Sequence, residues 1–176
     1  QRVLLLQAAI KYEQDDLMNT KALIDQCPAD EADTLVNQAC VMYKEAQAQG
    51  ADVSLYEKAR LHFQEAMGKT GFAAGLAYAI GLCHYQQKQY GPALKLIAEI
   101  IERGVREHPE LSVGSQTEGI DVRSVGNSLV LQETALIEAF NLKARRATAT
   151  RTRTRRVACP PCNRRVTIVR PGACHV

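Results

Sequence analysis

Three residues of this chain recur at a fixed interval: Tyr56, Ala59 and Phe63 are answered by Tyr90, Ala93 and Ile97, each 34 positions later. Ahead of each run stands a second matched pair, Ala39 four places before Tyr43 and Gly81 four places before Tyr85. The N-terminal residues Ala8, Tyr12, Leu17, Thr20, Ile24 and Cys27 repeat the internal spacings of Gly81, Tyr85, Tyr90, Ala93, Ile97 and Ile100. A period of this length is one helix-turn-helix unit, which cannot bury its apolar face alone and must stack on its neighbours.

The spacing has a steric cause. Two helices that cross closely tolerate only a small side chain on each. Ala8, Ala39 and Gly81 supply it on the first helices, and Thr20, Ala59 and Ala93 on the second. The larger members (Leu17, Tyr56 and Tyr90; Ile24, Phe63 and Ile97) are then expected to fill the layer between one hairpin and the next. Period and residue pattern together are those of the tetratricopeptide repeat. The expected fold is therefore all-α, a tetratricopeptide-repeat superhelix of stacked hairpins. The apolar opening, Gln1 to Leu6, lacks the polar outer face of a capping unit, so a fragment of a longer solenoid is expected.

Hairpins are predicted over about 2–27, 35–67 and 72–103, a loop over 108–127 and a buried apolar helix over 128–144. Asp15 and Asp16 fall in the first turn, Pro28 ends the first hairpin, and Asp33 or Thr34 is placed to cap the next helix. From Tyr43 to Tyr56 is 13 residues, against five from Tyr85 to Tyr90, and the excess of eight reads as an inserted loop from Ala48 to Leu55. Pro92 sits in a first helical turn, where its missing N–H costs little.

The net charge of +3 hides two unlike segments: 13 basic against 19 acidic residues in 1–144, then nine Arg and no acid in 145–176. No stretch approaches the roughly 20 apolar residues that a membrane span needs, and a soluble body is expected. Cys27, Cys40 and Cys83 lack the spacing of a disulfide framework and read as small buried hydrophobes of a reducing, cytosolic compartment. His62, His84 and His108 have no partner at catalytic spacing, and His84 is expected to be a solvated or hydrogen-bonded structural histidine. Gly114 to Gly119 lacks the Lys of a phosphate loop. No enzyme activity and no cofactor are expected.

What remains is a binding surface. Counting by helical period, the first helices turn Leu5, Ala9 and Tyr12, then Val36, Cys40 and Tyr43, then Tyr78, Leu82 and Tyr85 towards the inner groove of the superhelix. An apolar, tyrosine-rich groove suits an extended, proline-containing peptide, which loses little entropy on docking against aromatic rings. The bland reading, that these tyrosines only pack between helices, has equal weight for any one of them. A generic cochaperone-like module that clamps a peptide's C-terminal carboxylate is the rival, but it needs Lys, Arg and Asn where this lining has Tyr, Leu and Val.

The run IAEIIERGVREHPEL from Ile97 to Leu111, TEGIDVRSVGN from Thr117 to Asn127 and ALIEAFNLKA from Ala135 to Ala144 resemble the tetratricopeptide repeat protein 30 family, also called intraflagellar transport protein 70 or fleer. Arg2 to Tyr12 and Asp33 to Tyr43 resemble it too, so the resemblance covers about residues 1–144. It implies a scaffold subunit of intraflagellar transport complex B, located in the cilium or flagellum and the basal-body cytoplasm. It further implies that the groove wraps an extended proline-rich segment of intraflagellar transport protein 52, that cilium assembly depends on it, and that it has a link to tubulin polyglutamylation.

Beyond Ala144 the resemblance stops. Cys159 and Cys162, with Cys174 and His175, have some of the spacing of a zinc site, although adjacent Cys174 and His175 do not readily reach one ion. The arginines alternatively form a basic arm for acidic partners. The abrupt change of composition inside an apolar helix favours a third reading, an extension foreign to the fold and expected to be disordered.

Overall fold

A computed structural model of the chain describes residues 1–50, 52–111 and 128–151. The described residues form helices α1 (Arg2–Glu13), α2 (Leu17–Ile24), α3 (Ala32–Ala48), α4 (Val53–Thr70), α5 (Ala74–Gln86), α6 (Tyr90–Glu107), α7 (Ser128–Thr134) and α8 (Leu136–Arg151), with a 3-10 turn at Pro109–Leu111. Helices α1 and α2, α3 and α4, and α5 and α6 pair as hairpins, and each hairpin packs on the next through α2 against α3 and α4 against α5. The fold is an all-helical stack, as the period requires.

The helix crossings are built on the small residues. Ala8, Ala39, Thr20, Ala59 and Ala93 are all buried, and Gly81 is buried with them on α5. A Cβ built on Gly81 would lie 3.9 Å from the Ala93 carbonyl oxygen and from the Leu96 Cβ, so this crossing has room for alanine and no more. Between hairpins, Ile24, Tyr56, Phe63 and Ile97 fill the core. Each buried aromatic of this kind is worth several kcal/mol, and truncation of such a Phe to Ala costs about 3–5 kcal/mol. Cys27, Cys40 and Cys83 are buried free thiols, as the sequence suggested.

Tyr90 departs from its expected layer-filling role and is 37% exposed. Its counterpart Tyr56 is covered by the next hairpin and by the Tyr43 ring, whereas Tyr90 meets Tyr85 edge-on with ring centroids 5.3 Å apart.

Local signals decide the turns. Asp16 caps α2, its carboxylate accepting from the Asn19 backbone N–H at 3.3 Å and from its side-chain amide at 2.6 Å; Asp52 caps α4 by accepting from the Ser54 N–H at 2.8 Å. Asp15 and Lys88 take left-handed backbone conformations, φ 62° and 61°, at corresponding places in the first and third hairpins. Neither Asp33 nor Thr34 caps α3, which starts a turn earlier from Glu31. Thr34 is instead buried in the first turn, with no partner for its hydroxyl.

The eight extra residues of the second hairpin do not make a loop. They lengthen its helices: α3 runs to Ala48 and α4 resumes at Val53, with Gly50 at φ 81° in the short connection. Helix formers at Glu45, Ala46, Gln47 and Ala48 make continuation of α3 cheaper than an irregular loop. The apolar segment after residue 128 is divided at Ala135, φ 49°, and its second part continues past Ala144 to Arg151. The division lets Leu131 and Leu136 join Leu111 in one small core, while Ala139 and Leu142 join Ile97 and Ile100 in another. Leu136 lies directly on Gly104 of α6, where a Cβ would come within 2.8 Å of its Cδ2. The greater part of the expected 108–127 loop, and the tail residues Cys159, Cys162, Cys174 and His175, lie outside the described residues.

Candidate functional site

The first-helix positions expected to line the groove fall into two groups. Leu5, Tyr12, Val36, Cys40 and Tyr43 are buried within the stack, which takes them off the exposed lining. Ala9, Tyr78, Leu82 and Tyr85 are half-buried and keep accessible surface. The accessible aromatic stripe is therefore on α5, at i, i+4 and i+7, and it does not extend along all three first helices.

The buried tyrosines are occupied by their neighbours. Lys44 of α3 places its ammonium 4.2 Å from the centroid of the Tyr12 ring and donates to the Tyr12 carbonyl at 2.8 Å; it also pairs with Asp15 in the first turn. A lysine from the second hairpin thus clips the end of the first. Tyr43 packs edge-on against Tyr56 at 5.2 Å, and its hydroxyl accepts from the Gln86 side-chain amide at 3.1 Å, a tie from the second hairpin to the third. Burial pushes both phenols well above their ordinary range; nearby ionisable groups add to the shift of Tyr12, whereas the Gln86 hydrogen bond opposes that of Tyr43. These rings hold hairpins together, Tyr12 beneath a cation from the second hairpin and Tyr43 through a hydroxyl contact to the third.

The α5 stripe is differently placed. Tyr78 and Tyr85 pack against the core that holds Ile97, Ile100 and Leu142, while Leu82 borders both this core and the larger one that runs from the first two hairpins into α5. Burial raises the Tyr78 phenol, Glu138 of α8 raises it further, and Arg145 acts in the opposite sense. One carboxylate oxygen of Glu138 is buried with no hydrogen-bond partner. Sequence counting missed Glu138, because nothing in the repeat period says that α8 returns alongside α5 and α6. At the turn end, His84 pairs through Nδ1 with the Gln89 side-chain oxygen at 2.8 Å, and Gln87 donates to Glu57 at 3.0 Å. His84 is thus the hydrogen-bonded structural histidine that its position implied.

Among the described residues no group of three or more His, Cys, Asp or Glu side chains is arranged to hold a metal ion, and no helix is long and apolar enough to cross a membrane. The site is an apolar and aromatic surface with a few hydrogen-bonding groups, suited to contact with another chain.

A helical stack on a 34-residue period, with small residues at each crossing, defines a tetratricopeptide-repeat protein. No protein-family model matches the chain. Curated relatives do: intraflagellar transport protein 70A of Xenopus tropicalis is 53% identical over 143 residues, 81% of this chain and 21% of the relative. The protein of the same name from Danio rerio is 54% identical over the same shares, and the tetratricopeptide repeat protein 30 homolog of Caenorhabditis briggsae is 49% identical over 138 residues, 78% of this chain and 20% of the relative. Over that segment the chain belongs to the intraflagellar transport protein 70 family, also named tetratricopeptide repeat protein 30; it spans about a fifth of the length of these relatives.

Proposed function

We propose that this segment is part of a non-enzymatic scaffold in intraflagellar transport, and that its α5 stripe is the contact through which it holds an extended, proline-containing partner. The observation that carries the reading is the set Tyr78, Leu82 and Tyr85, half-buried along one helix. Half-exposed rings anchored in a core lose little entropy when covered and present flat apolar area to proline. The names of the relatives support placement in the cilium or flagellum. Membership of complex B, a proline-rich segment of intraflagellar transport protein 52 as partner, residence in basal-body cytoplasm, a part in cilium assembly and a link to tubulin polyglutamylation are the finer parts of the same proposal.

Titration calorimetry of the chain with a proline-rich segment of that partner provides the test. Changing Tyr78 and Tyr85 together to Ala is expected to weaken binding by about 2–4 kcal/mol. Unchanged affinity in a variant of unaltered helicity would contradict the reading.

A further inference from the structure

The three first-helix tyrosines stand at equivalent places, each four residues after the small residue of its helix crossing: Tyr12 after Ala8, Tyr43 after Ala39 and Tyr85 after Gly81. The residue after each tyrosine therefore also occupies one equivalent place, and in two hairpins it has the same task. Lys44, which follows Tyr43, reaches back to Tyr12 of the preceding hairpin, its ammonium 4.2 Å from the ring centroid and 2.8 Å from the carbonyl oxygen. Gln86, which follows Tyr85, reaches back to Tyr43, its side-chain amide donating to the phenol oxygen at 3.1 Å. In both seams a tyrosine of one hairpin is covered by a side chain that ends in N–H groups and arrives from the next. Tyr12 and Tyr43 are each only 5% exposed.

Tyr85 has no such tie. The helix packed next on the third hairpin is α8, and its Glu138 and Arg145 lie near Tyr78 instead. Among the described residues the Tyr85 ring meets Tyr90 edge-on, keeps accessible surface, and has no hydrogen bond to its hydroxyl. We propose that a partner supplies the missing tie: the segment held on the α5 stripe carries, where it crosses Tyr85, a side chain that ends in N–H donors, a carboxamide or an ammonium. This rests on the α5 stripe being the partner contact. The partner's side chain does for Tyr85 what Gln86 and Lys44 do for Tyr43 and Tyr12, meeting the phenol oxygen or the face of the ring. An apolar side chain would cover the ring yet leave the hydroxyl desolvated and unpaired, which is unfavourable. A carboxylate has no donor to offer.

Fluorescence anisotropy of the full chain tests this with labelled polyproline peptides of about ten residues, identical except for one central Gln, Lys, Met or Glu. The Gln and Lys peptides are expected to bind about threefold to tenfold more tightly than the Met peptide, the range of one hydrogen bond or one cation–ring contact. The Glu peptide should bind no more tightly than the Met peptide. Tyr85→Phe keeps the ring and its packing, so it should erase the advantage of Gln over Met while Lys, which reads the ring face, retains its own. Gln and Lys peptides no tighter than Met, a Glu peptide as tight as Gln, or a Gln advantage that survives Tyr85→Phe would overturn the inference. Those results leave the stripe itself standing if the Met peptide binds and Tyr78→Ala with Tyr85→Ala weakens it. Failure of every peptide to bind would remove the stripe and the tie together.

Discussion

Two glycines show how differently a missing side chain can be used. Gly81 occupies a crossing where Ala8 and Ala39 stand in the other hairpins, and its nearest neighbours leave 3.9 Å for a methyl group. Gly81→Ala is therefore expected to stabilise the chain by about 0.5–1 kcal/mol, because the helical backbone loses freedom only in the unfolded state. Gly104 has no such room. A methyl group there falls within 3.0 Å of three Leu136 atoms, and Leu136 is itself fully buried, so it has nowhere to go. Gly104→Ala should cost about 1–3 kcal/mol, as overpacking does. Urea denaturation of the two variants checks both expectations. Equal midpoints would mean that α8 does not press on α6 as described. The first glycine was legible in the sequence from its place in the period; the second was not, since its partner arrives from a helix outside the repeat.

Among the elements, the turns carry the information that sequence spacing could not. The distances between small and aromatic residues located the three hairpins, because helix crossings impose them. They could not say how eight additional residues between Tyr43 and Tyr56 would be used, and the chain extended α3 and α4 around a glycine at positive φ. Nor could they show the division at Ala135, which is fixed by where Leu131 and Leu136 find their core. In the third hairpin the tight turn places Lys88 at φ 61°, a conformation that costs a residue with a Cβ roughly 1–2 kcal/mol. Lys88→Gly relieves this at some cost in unfolded-state entropy, and a net gain of about 0.5 kcal/mol is expected. A chemical denaturation midpoint that falls would show that the lysine side chain contributes more than its backbone costs. Asp16→Ala, which removes the cap of the eight-residue α2, should lower the melting temperature and the helical signal together; a signal lost without any change in melting would place the fraying outside the cooperative unit.

For the whole molecule, the buried ionisable groups set an alkaline limit. Burial holds the Cys40 and Cys83 thiols up to about 12, against an ordinary value of 9.0. The folded chain keeps these protons over a range in which the unfolded chain releases them, so stability is complete below about pH 9 and declines as pH rises from there towards 12. Tyr12 and Tyr43, also raised, add to the decline once pH exceeds their ordinary value of 10.0. Melting curves from pH 7 to 11 should show this fall, and Cys40→Ala with Cys83→Ala should delay its onset to the tyrosine range; a flat profile in the parent would contradict the burial of these groups. The division between buried and accessible tyrosines is the part of the candidate site that the sequence left open, because a helical period gives the direction of a side chain without saying whether a neighbour covers it. Tyr12 and Tyr43 are covered by Lys44, Tyr56 and Gln86, and Tyr78 and Tyr85 remain half-open. Hydroxyl-radical footprinting of the tyrosines, with and without the proline-rich partner segment, tests that division and its functional meaning in one measurement. Tyr78 and Tyr85 should react in the free chain and be protected in the complex, while Tyr12 and Tyr43 stay unreactive in both. Reactive Tyr12 or Tyr43 in the free chain, or no protection of Tyr78 and Tyr85 on binding, would contradict the account.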